Sequence, residues 1–328
     1  MSEEKSFLVR AAKAHNIPVE DLERECLGYL HTGSERGFQF LRLVLDYAMD
    51  MTRESIPNVK VSAIQGTPAD HLPALQELAR EFSEISEDDP QITDWARQYQ
   101  AGHAWRISHD VTIAISTLEG MGETGSEASI LEVGAAPYLF TAYMNRLGYQ
   151  IHGVDLDPSR QARLVEKEQI TVFQHDLESS DPGSQLAAQY DLVVFNEVFE
   201  HLRINPLATL RKIRSWLKPE GRLILSTPNA QSLDGFRKYI SPGSMFGLSA
   251  MPYFEYQKLE KIGHMGHVRE YTAPEVMHTL GKMGFTIETL NYRFSPNLIK
   301  TIVIPVAHAR WGSDFILTCR KSEDVSDI

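Results

Sequence analysis

The sequence predicts an α/β protein built on a doubly wound, seven-stranded, mostly parallel sheet with an antiparallel edge pair, preceded by a helical N-terminal region. Three observations carry this expectation. Apolar stripes at helical spacing fill roughly the first 120 residues. Beyond a Gly- and Ser-containing stretch, short apolar runs alternate with helical segments, the pattern of a parallel sheet with crossover helices. The last two strand-like runs have no clear helix between them, so they can pair antiparallel at one edge.

The elements follow in order. Pro18 can open a helix at its first position, after which Leu22, Cys26, Tyr29 and Leu30 line one face. Phe38, Leu41, Val44, Leu45, Ala48 and Met49 form a second stripe. Leu72, Leu75, Leu78, Ala79 and Phe82 form a third, and Ile107, Val111, Ala114, Ile115 and Leu118 a fourth. The acidic stretch Ser83–Asp89 reads as a loop and Gly120–Glu127 as a linker. Strands are expected at Ser129–Val133, Gln150–Leu156, Ile170–Gln174, Leu192–Phe195 and Arg222–Thr227. Helices are expected at Pro137–Leu147 and Pro206–Leu217, the second followed by a turn at Lys218–Gly221. Thr272-Ala273-Pro274-Glu275 is a capping box that opens a further helix. Phe285–Tyr292 and Asp314–Arg320 are the antiparallel pair. Two regions result: a helical one at 1–125, and a sheet domain at 126–328 with an insertion at about 230–270.

Bulk composition narrows the function classes. Hydrophobic residues make up 42% of 328, ordinary for a globular protein with a sizeable core. Asp and Glu outnumber Lys and Arg by 44 to 32, and the net charge of -12 argues against a nucleic-acid partner. The two cysteines, Cys26 and Cys319, form neither a disulfide framework nor a zinc spacing, so a reducing cytoplasm is the default location. No secretory signal and no apolar run of about 18 residues stands out, so membrane insertion is not expected.

In an open α/β sheet, ligands bind beyond the carboxyl ends of the strands. An acid stands at or near four such ends: Glu132, Asp155, Asp176 and Glu197. One carboxylate at a strand end is usually a solvated loop residue; four around one crevice point to a site. Asp155 lies 21 residues after Gly134, near the spacing at which a carboxylate meets ribose hydroxyls. Gly134 lets backbone approach the ligand, and the helix after it offers free N–H groups to a carboxylate. A nicotinamide or flavin enzyme needs G-x-G-x-x-G, whereas Gly134-Ala135-Ala136-Pro137-Tyr138-Leu139 has one glycine. Glu132 repels a diphosphate and welcomes a ligand carrying an ammonium and a sulfonium.

These segments carry a family resemblance. Leu131-Glu132-Val133-Gly134-Ala135-Ala136-Pro137 resembles the first motif of Rossmann-like S-adenosylmethionine-dependent methyltransferases, and Val154-Asp155-Leu156-Asp157 resembles their acidic second-strand motif. Gln174-His175-Asp176-Leu177 is similar to the segment that contacts adenine, and Tyr190–Leu202 and Leu217–Asn229 to the fourth- and fifth-strand motifs. The resemblance covers residues 128–228 closely, although Ala136, Tyr138 and Leu139 stand where further glycines are common. It implies S-adenosylmethionine as cofactor, held by Glu132, Gly134, Ala135, Asp155, Leu156, Asp176, Leu177 and Asn196.

Glu197, Glu200 and His201 stand at i, i+3 and i+4, which on a helix places them on one face. The same Glu-x-x-Glu-His pattern occurs in the O-methyltransferases of coenzyme Q biosynthesis. By that resemblance Glu197 and His201 are catalytic, His201 is a base, and the trio can hold Mg²⁺. Alternatively, Glu197 touches the cofactor while Glu200 and His201 only cap and orient the helix. His264 and His267 end an insertion rich in aromatics (Phe236, Tyr239, Phe246, Tyr253, Phe254, Tyr256) that in related enzymes often covers the acceptor. His267 can act as base, bind acceptor or join His201 at a metal; a loop hydrogen bond is the plain alternative. The aromatics are either lid core or substrate stackers. Arg106, beside Trp95, Tyr99, His103 and Trp105, either pairs the cofactor carboxylate or is a solvated helix residue.

The leading expectation is O-methylation of a small-molecule hydroxyl, with the N-terminal helices shaping the acceptor site or a homodimer interface. A tRNA or rRNA methyltransferase is the alternative; the acidic charge and the absence of Asn-Pro-Pro-Tyr and Pro-Cys stand against it. A non-catalytic, cofactor-binding regulatory protein is the third.

Overall fold

In the computed structural model, the described residues are 59–64, 70–123, 125–232, 266–294 and 312–322, with isolated positions at 18, 20, 21, 235, 256, 257 and 259. The expected stripes at Leu22–Leu30 and Phe38–Met49, together with His264 and all the insertion's aromatics except Tyr256, lie outside them. The chain divides into two compact units, residues 1–59 and 60–328. The second holds the sheet and also the helices at Leu72–Ser83 and Pro90–Met121, which were expected in the N-terminal region.

The sheet has eight strands: β1 (Lys60–Ile64), β2 (Ser129–Val133), β3 (Gln150–Asp155), β4 (Thr171–Gln174), β5 (Tyr190–Asn196), β6 (Leu217–Pro228), β7 (Phe285–Arg293) and β8 (Asp314–Lys321). Their order is β1-β7-β8-β6-β5-β2-β3-β4. The five strands from β6 to β4 run parallel, and β8 is antiparallel to both β6 and β7. The doubly wound sheet with its antiparallel pair is as expected; the strand count of seven is corrected to eight. The extra strand, β1, lies parallel to β7, with Lys60 opposite Thr289 and Ile64 opposite Arg293. Five residues far from the rest of the sheet leave too short a periodic signal to mark them as an edge strand.

A second correction concerns Lys218–Gly221. The expected turn is instead a break in register inside β6: Leu217 pairs with Tyr190, and pairing resumes at Arg222 with Leu192. Glu220 takes a left-handed conformation at φ 61°, which accommodates the extra residues. The linker at Gly120–Glu127 also starts later than expected, because the long helix runs on to Met121 and stops at Gly122, left-handed at φ 80°.

The helices are α1 (Leu72–Ser83), α2 (Pro90–Met121), α3 (Leu139–Arg146), α4 (Ala162–Glu168), α5 (Pro206–Trp216) and α6 (Ala273–Lys282). Local chemistry sets their starts. Asp89 accepts from Gln91 N at 2.7 Å, with Pro90 at the first helical position. Asn205 accepts from Leu207 N and Ala208 N ahead of α5. Thr272 and Glu275 close the anticipated capping box at α6. The stripes of α1 and α2 meet β2 and β5 in one core: Leu75, Leu78, Phe82, Val111, Leu118, Ile130, Tyr138, Leu192 and Val194 are all buried. Burying a Leu or Val side chain contributes about 1.5–3 kcal/mol. This packing fixes α2 beside the carboxyl ends of the parallel strands. Among the described residues, no helix is long and apolar enough to cross a membrane.

Candidate active site

Strand order reverses at β2, with β3 and β4 on one side and β5 and β6 on the other. A cavity of about 470 Å³ opens at the carboxyl ends of these strands, where such a reversal leaves a crevice. Of the residues expected to hold the cofactor, Gly134, Asp155, Leu156, Asp176, Leu177 and Asn196 line it. Glu197, His201 and His267 line it too.

Gly134 is required on two counts. Its φ is 72°, and a Cβ there would meet Val198 Cγ2 at 2.5 Å. Its N–H and that of Ala135 donate to Val154 O at 2.8 and 3.1 Å, which folds the loop back over β3. Gln100 on α2 holds the far side, donating from Nε2 to Pro137 O at 2.8 Å. Asp155 accepts from Ala136 N at 3.1 Å and from Asp157 N at 3.3 Å. Burial raises the Asp155 pKa, and these N–H groups work against the rise. Asp157 is held low, first by the Ser159 hydroxyl and also by Arg160. Asp176 is exposed and accepts from Glu178 N at 2.8 Å.

Two expected cofactor residues fall outside the cavity wall. Ala135 is buried behind the loop. Glu132 turns toward α3, where its carboxylate accepts from the Thr141 hydroxyl. Burial pushes the Glu132 pKa up to about 8, so at neutral pH its proton is largely retained. The negative rim of the crevice therefore belongs to Asp155, Asp157 and Asp176.

The expected helix at Glu197–His201 is not formed. Glu197 is left-handed at φ 55°, and only a single 3-10 turn, Phe199–His201, follows. The three side chains consequently point to different places. Glu197 meets a buried charge cluster: Arg106 Nη1 at 3.0 Å, Arg293 Nη2 at 3.3 Å and the Ser226 hydroxyl at 2.8 Å. Burial pushes its pKa up, but the two guanidinium groups outweigh burial and hold it below the ordinary value. Arg293, fully buried at the end of β7, also binds Asp110 at 2.7 Å and Asp314 at 3.1 Å. Arg106 is thus not a solvated helix residue; it is buried against Glu197 and the Tyr99 hydroxyl, at the wall of a second cavity.

Glu200 points the other way. Its side chain is fully buried, and Oε2 accepts from the Thr227 hydroxyl at 2.9 Å. Burial, then the charge of Glu197, raises its pKa well above the ordinary value. Its backbone carbonyl accepts from Val268 N at 2.8 Å and Arg269 N at 3.2 Å. Those bonds bring His267 against His201, with ring centroids 5.1 Å apart and nearly perpendicular. The His201 Nδ1–H donates to Gly266 O at 3.2 Å, and the His267 Nδ1–H to the Glu270 carboxylate, also at 3.2 Å. Both imidazoles thereby present Nε2 as the basic nitrogen.

A second cavity, about 270 Å³, adjoins the first, and Tyr99, Glu197, His201 and His267 line both. His103, Asn229 and Asp314 line only the second. Burial, with help from Arg106, lowers the His103 pKa to about 4, so that ring is neutral at pH 7. The Mg²⁺ implied for Glu197, Glu200 and His201 does not fit this arrangement, because both Glu197 oxygens are taken by Arg106, Arg293 and Ser226.

Asp110, Gln100, Arg293 and Asp314 were missed in the sequence. The available signal was charge inside apolar periodicity: Asp110 interrupts the buried stripe of α2, and Arg293 closes a strand.

In an open α/β sheet, the crevice at the strand reversal is where ligands bind, and here it is rimmed with acids. The family model described as "Methyltransferase domain" matches residues 75–290, and the chain belongs to that family of enzymes. Among curated proteins, the ubiquinone biosynthesis O-methyltransferase of Xanthomonas axonopodis pv. citri is 36% identical over 105 residues, which is 31% of this chain and 44% of that protein. The protein of the same name from Aeromonas salmonicida is 33% identical over 103 residues, 30% of this chain and 43% of its own. The chain thus spans less than half the length of these curated relatives. Among solved structures, magnesium protoporphyrin IX methyltransferase from Synechocystis PCC 6803 aligns at TM-score 0.46 and 16% identity, covering 77% of this chain and 97% of that one. The 1,6-didemethyltoxoflavin-N1-methyltransferase of Burkholderia thailandensis aligns at 0.45 and 18%, covering 80% and 94%.

Proposed function

We propose that this chain transfers a methyl group from S-adenosylmethionine to a hydroxyl of a small acceptor, with His201 as the base. One observation carries the reading: two adjoining cavities share a wall made of Tyr99, Glu197, His201 and His267. The first cavity suits the nucleoside, with Asp155 at the end of β3 in reach of ribose hydroxyls and Asp176 near the end of β4. The second is of a size for a compact acceptor.

The donor supplies a methyl group activated by a positive sulfur; the protein supplies alignment and a place for one proton. As the acceptor oxygen bonds to the methyl carbon, the sulfur–carbon bond breaks and its electrons stay on sulfur. The hydroxyl proton passes to His201 Nε2, whose tautomer is set by the bond from Nδ1 to Gly266 O. His267 stands beside it to orient the acceptor, and Glu197, neutralised by two arginines, closes the wall without repelling it.

Incubating a host extract with the protein and isotope-labelled donor, followed by mass spectrometry, tests the reading. A labelled small metabolite is expected; label confined to RNA would sink it. His201→Ala, assayed on chelator-treated protein, is expected to lower kcat by about 10²–10⁴-fold, the usual contribution of a general base. Unchanged turnover would remove His201 from that role.

A further inference from the structure

We infer that Glu200, His201 and His267 form a binding site for a first-row transition metal ion of the zinc class, which takes His267 in place of the Glu197 of the Mg²⁺ trio that the Glu-x-x-Glu-His pattern implies. One oxygen of Glu200 and one ring nitrogen of each histidine lie within 4.8 Å of one another. Glu200 Oε1 is 3.9 Å from Nε2 of His201 and 3.9 Å from Nε2 of His267. Ligands held by a tetrahedral zinc at about 2.0–2.1 Å stand roughly 3.4 Å apart, so side-chain shifts of an ångström or so close the site.

Glu200 is the independent pointer. Its side chain is fully buried, yet Oε1 has no hydrogen-bond partner among the described residues. A buried carboxylate oxygen left without a donor is costly, and a cation between it and two imidazoles removes that cost. The outer contacts fit as well. Metal-binding histidines nearly always donate their other ring N–H to a carbonyl or carboxylate, as His201 does to Gly266 O and His267 to Glu270. Glu200 is anchored through Oε2 by the Thr227 hydroxyl.

Donor chemistry selects the ion. Two imidazoles and one carboxylate suit zinc, cobalt or ferrous iron, whereas Mg²⁺ demands oxygen ligands in near-octahedral order. Glu197, which would supply the further oxygen, is committed to Arg106 and Arg293. An ion at this site takes the His201 Nε2 that otherwise receives the acceptor proton. The ion-loaded and base-competent forms are therefore different states of one protein.

Cobalt(II) is the probe, because its visible absorption reports coordination directly. Titrated into the chelator-treated full chain, it is expected to bind at one equivalent with a visible band. Zinc should displace it; Mg²⁺ in hundredfold excess should not. Glu200→Gln keeps the Thr227 contact and removes the charge, and His267→Ala truncates a half-exposed ring, so both variants are expected to fold. Each should weaken cobalt binding by more than the roughly 10–100-fold that loss of an outer partner costs. His278→Ala, on the exposed face of α6, should leave binding unchanged. Absence of a stoichiometric cobalt band, binding in both ligand variants as tight as in the wild type, or displacement by Mg²⁺ would overturn the inference. S-adenosylhomocysteine affinity, measured on the same samples, reports separately on the methyl-transfer reading, which does not depend on the ion.

Discussion

The two sides of the crevice hold their carboxylates in opposite ways. Beyond β3 and β4, Asp155 and Asp176 are held by backbone N–H groups, of Ala136 in the loop after β2 and of Asp157 and Glu178 two residues further along the chain. Such bonds orient a carboxylate and leave its charge available to a ligand. Beyond β5, Glu197, Asp110 and Asp314 are neutralised by Arg106 and Arg293, from a helix and a strand far from Glu197 in sequence. The first device shapes a ligand site and adds little to the fold. The second locks α2, β5, β7 and β8 together and is costly to disturb, because breaking a buried ion pair leaves uncompensated charge.

Perturbing each side separately sharpens this contrast. Arg293→Met should have the largest effect: it strips three buried carboxylates of a shared partner, and urea denaturation is expected to show a loss of about 3–5 kcal/mol. A loss below about 1 kcal/mol would mean that the cluster contributes nothing special. Gly134→Ala comes next. It forces a Cβ against Val198 at a left-handed position, a strain of about 1–3 kcal/mol, and displaces the loop from Asp155. Calorimetry should find S-adenosylhomocysteine binding abolished while the far-ultraviolet circular dichroism stays native.

Asp155→Asn should separate the two devices most cleanly. Hydrogen bonds to a charged group are worth about 1.5–3 kcal/mol, so nucleoside affinity is expected to fall about tenfold to a hundredfold with little change in melting temperature. A large melting shift with unaltered affinity would reverse the contrast.

A pH-dependent effect concerns Glu132. Its pKa is raised from an ordinary 4.5 to about 8, mainly by burial, so the folded protein keeps this proton to higher pH than the unfolded chain does. The associated stability is complete below about pH 4.5 and is lost as pH rises through about 8. Glu132→Gln, neutral throughout, should therefore gain on the wild type in urea midpoint between those limits. Parallel pH profiles would show that Glu132 is ionised in the fold.

Gly134, Asp155, Leu156, Asp176, Leu177 and Asn196 were legible because each stands at or just after the end of a short apolar run. Glu132 misled for the same reason: strand-end position places a residue near the crevice, but side-chain direction depends on the Thr141 partner supplied by α3. The Glu197–His201 face was expected at helical spacing, and a left-handed Glu197 removed it. Nothing in the local pattern foretells that, since the conformation is held by Arg106 and Arg293 from elsewhere.

Periodicity, strand-end acids and capping residues are properties of neighbours along the chain, so the sequence alone determined the doubly wound sheet, the crevice and most of the residues at its rim. The eighth strand, the arginine-centred charge cluster and the meeting of His267 with Glu200 and His201 join residues from well-separated segments. Only the tertiary structure decided these, because what stabilises each is a partner that local spacing does not specify.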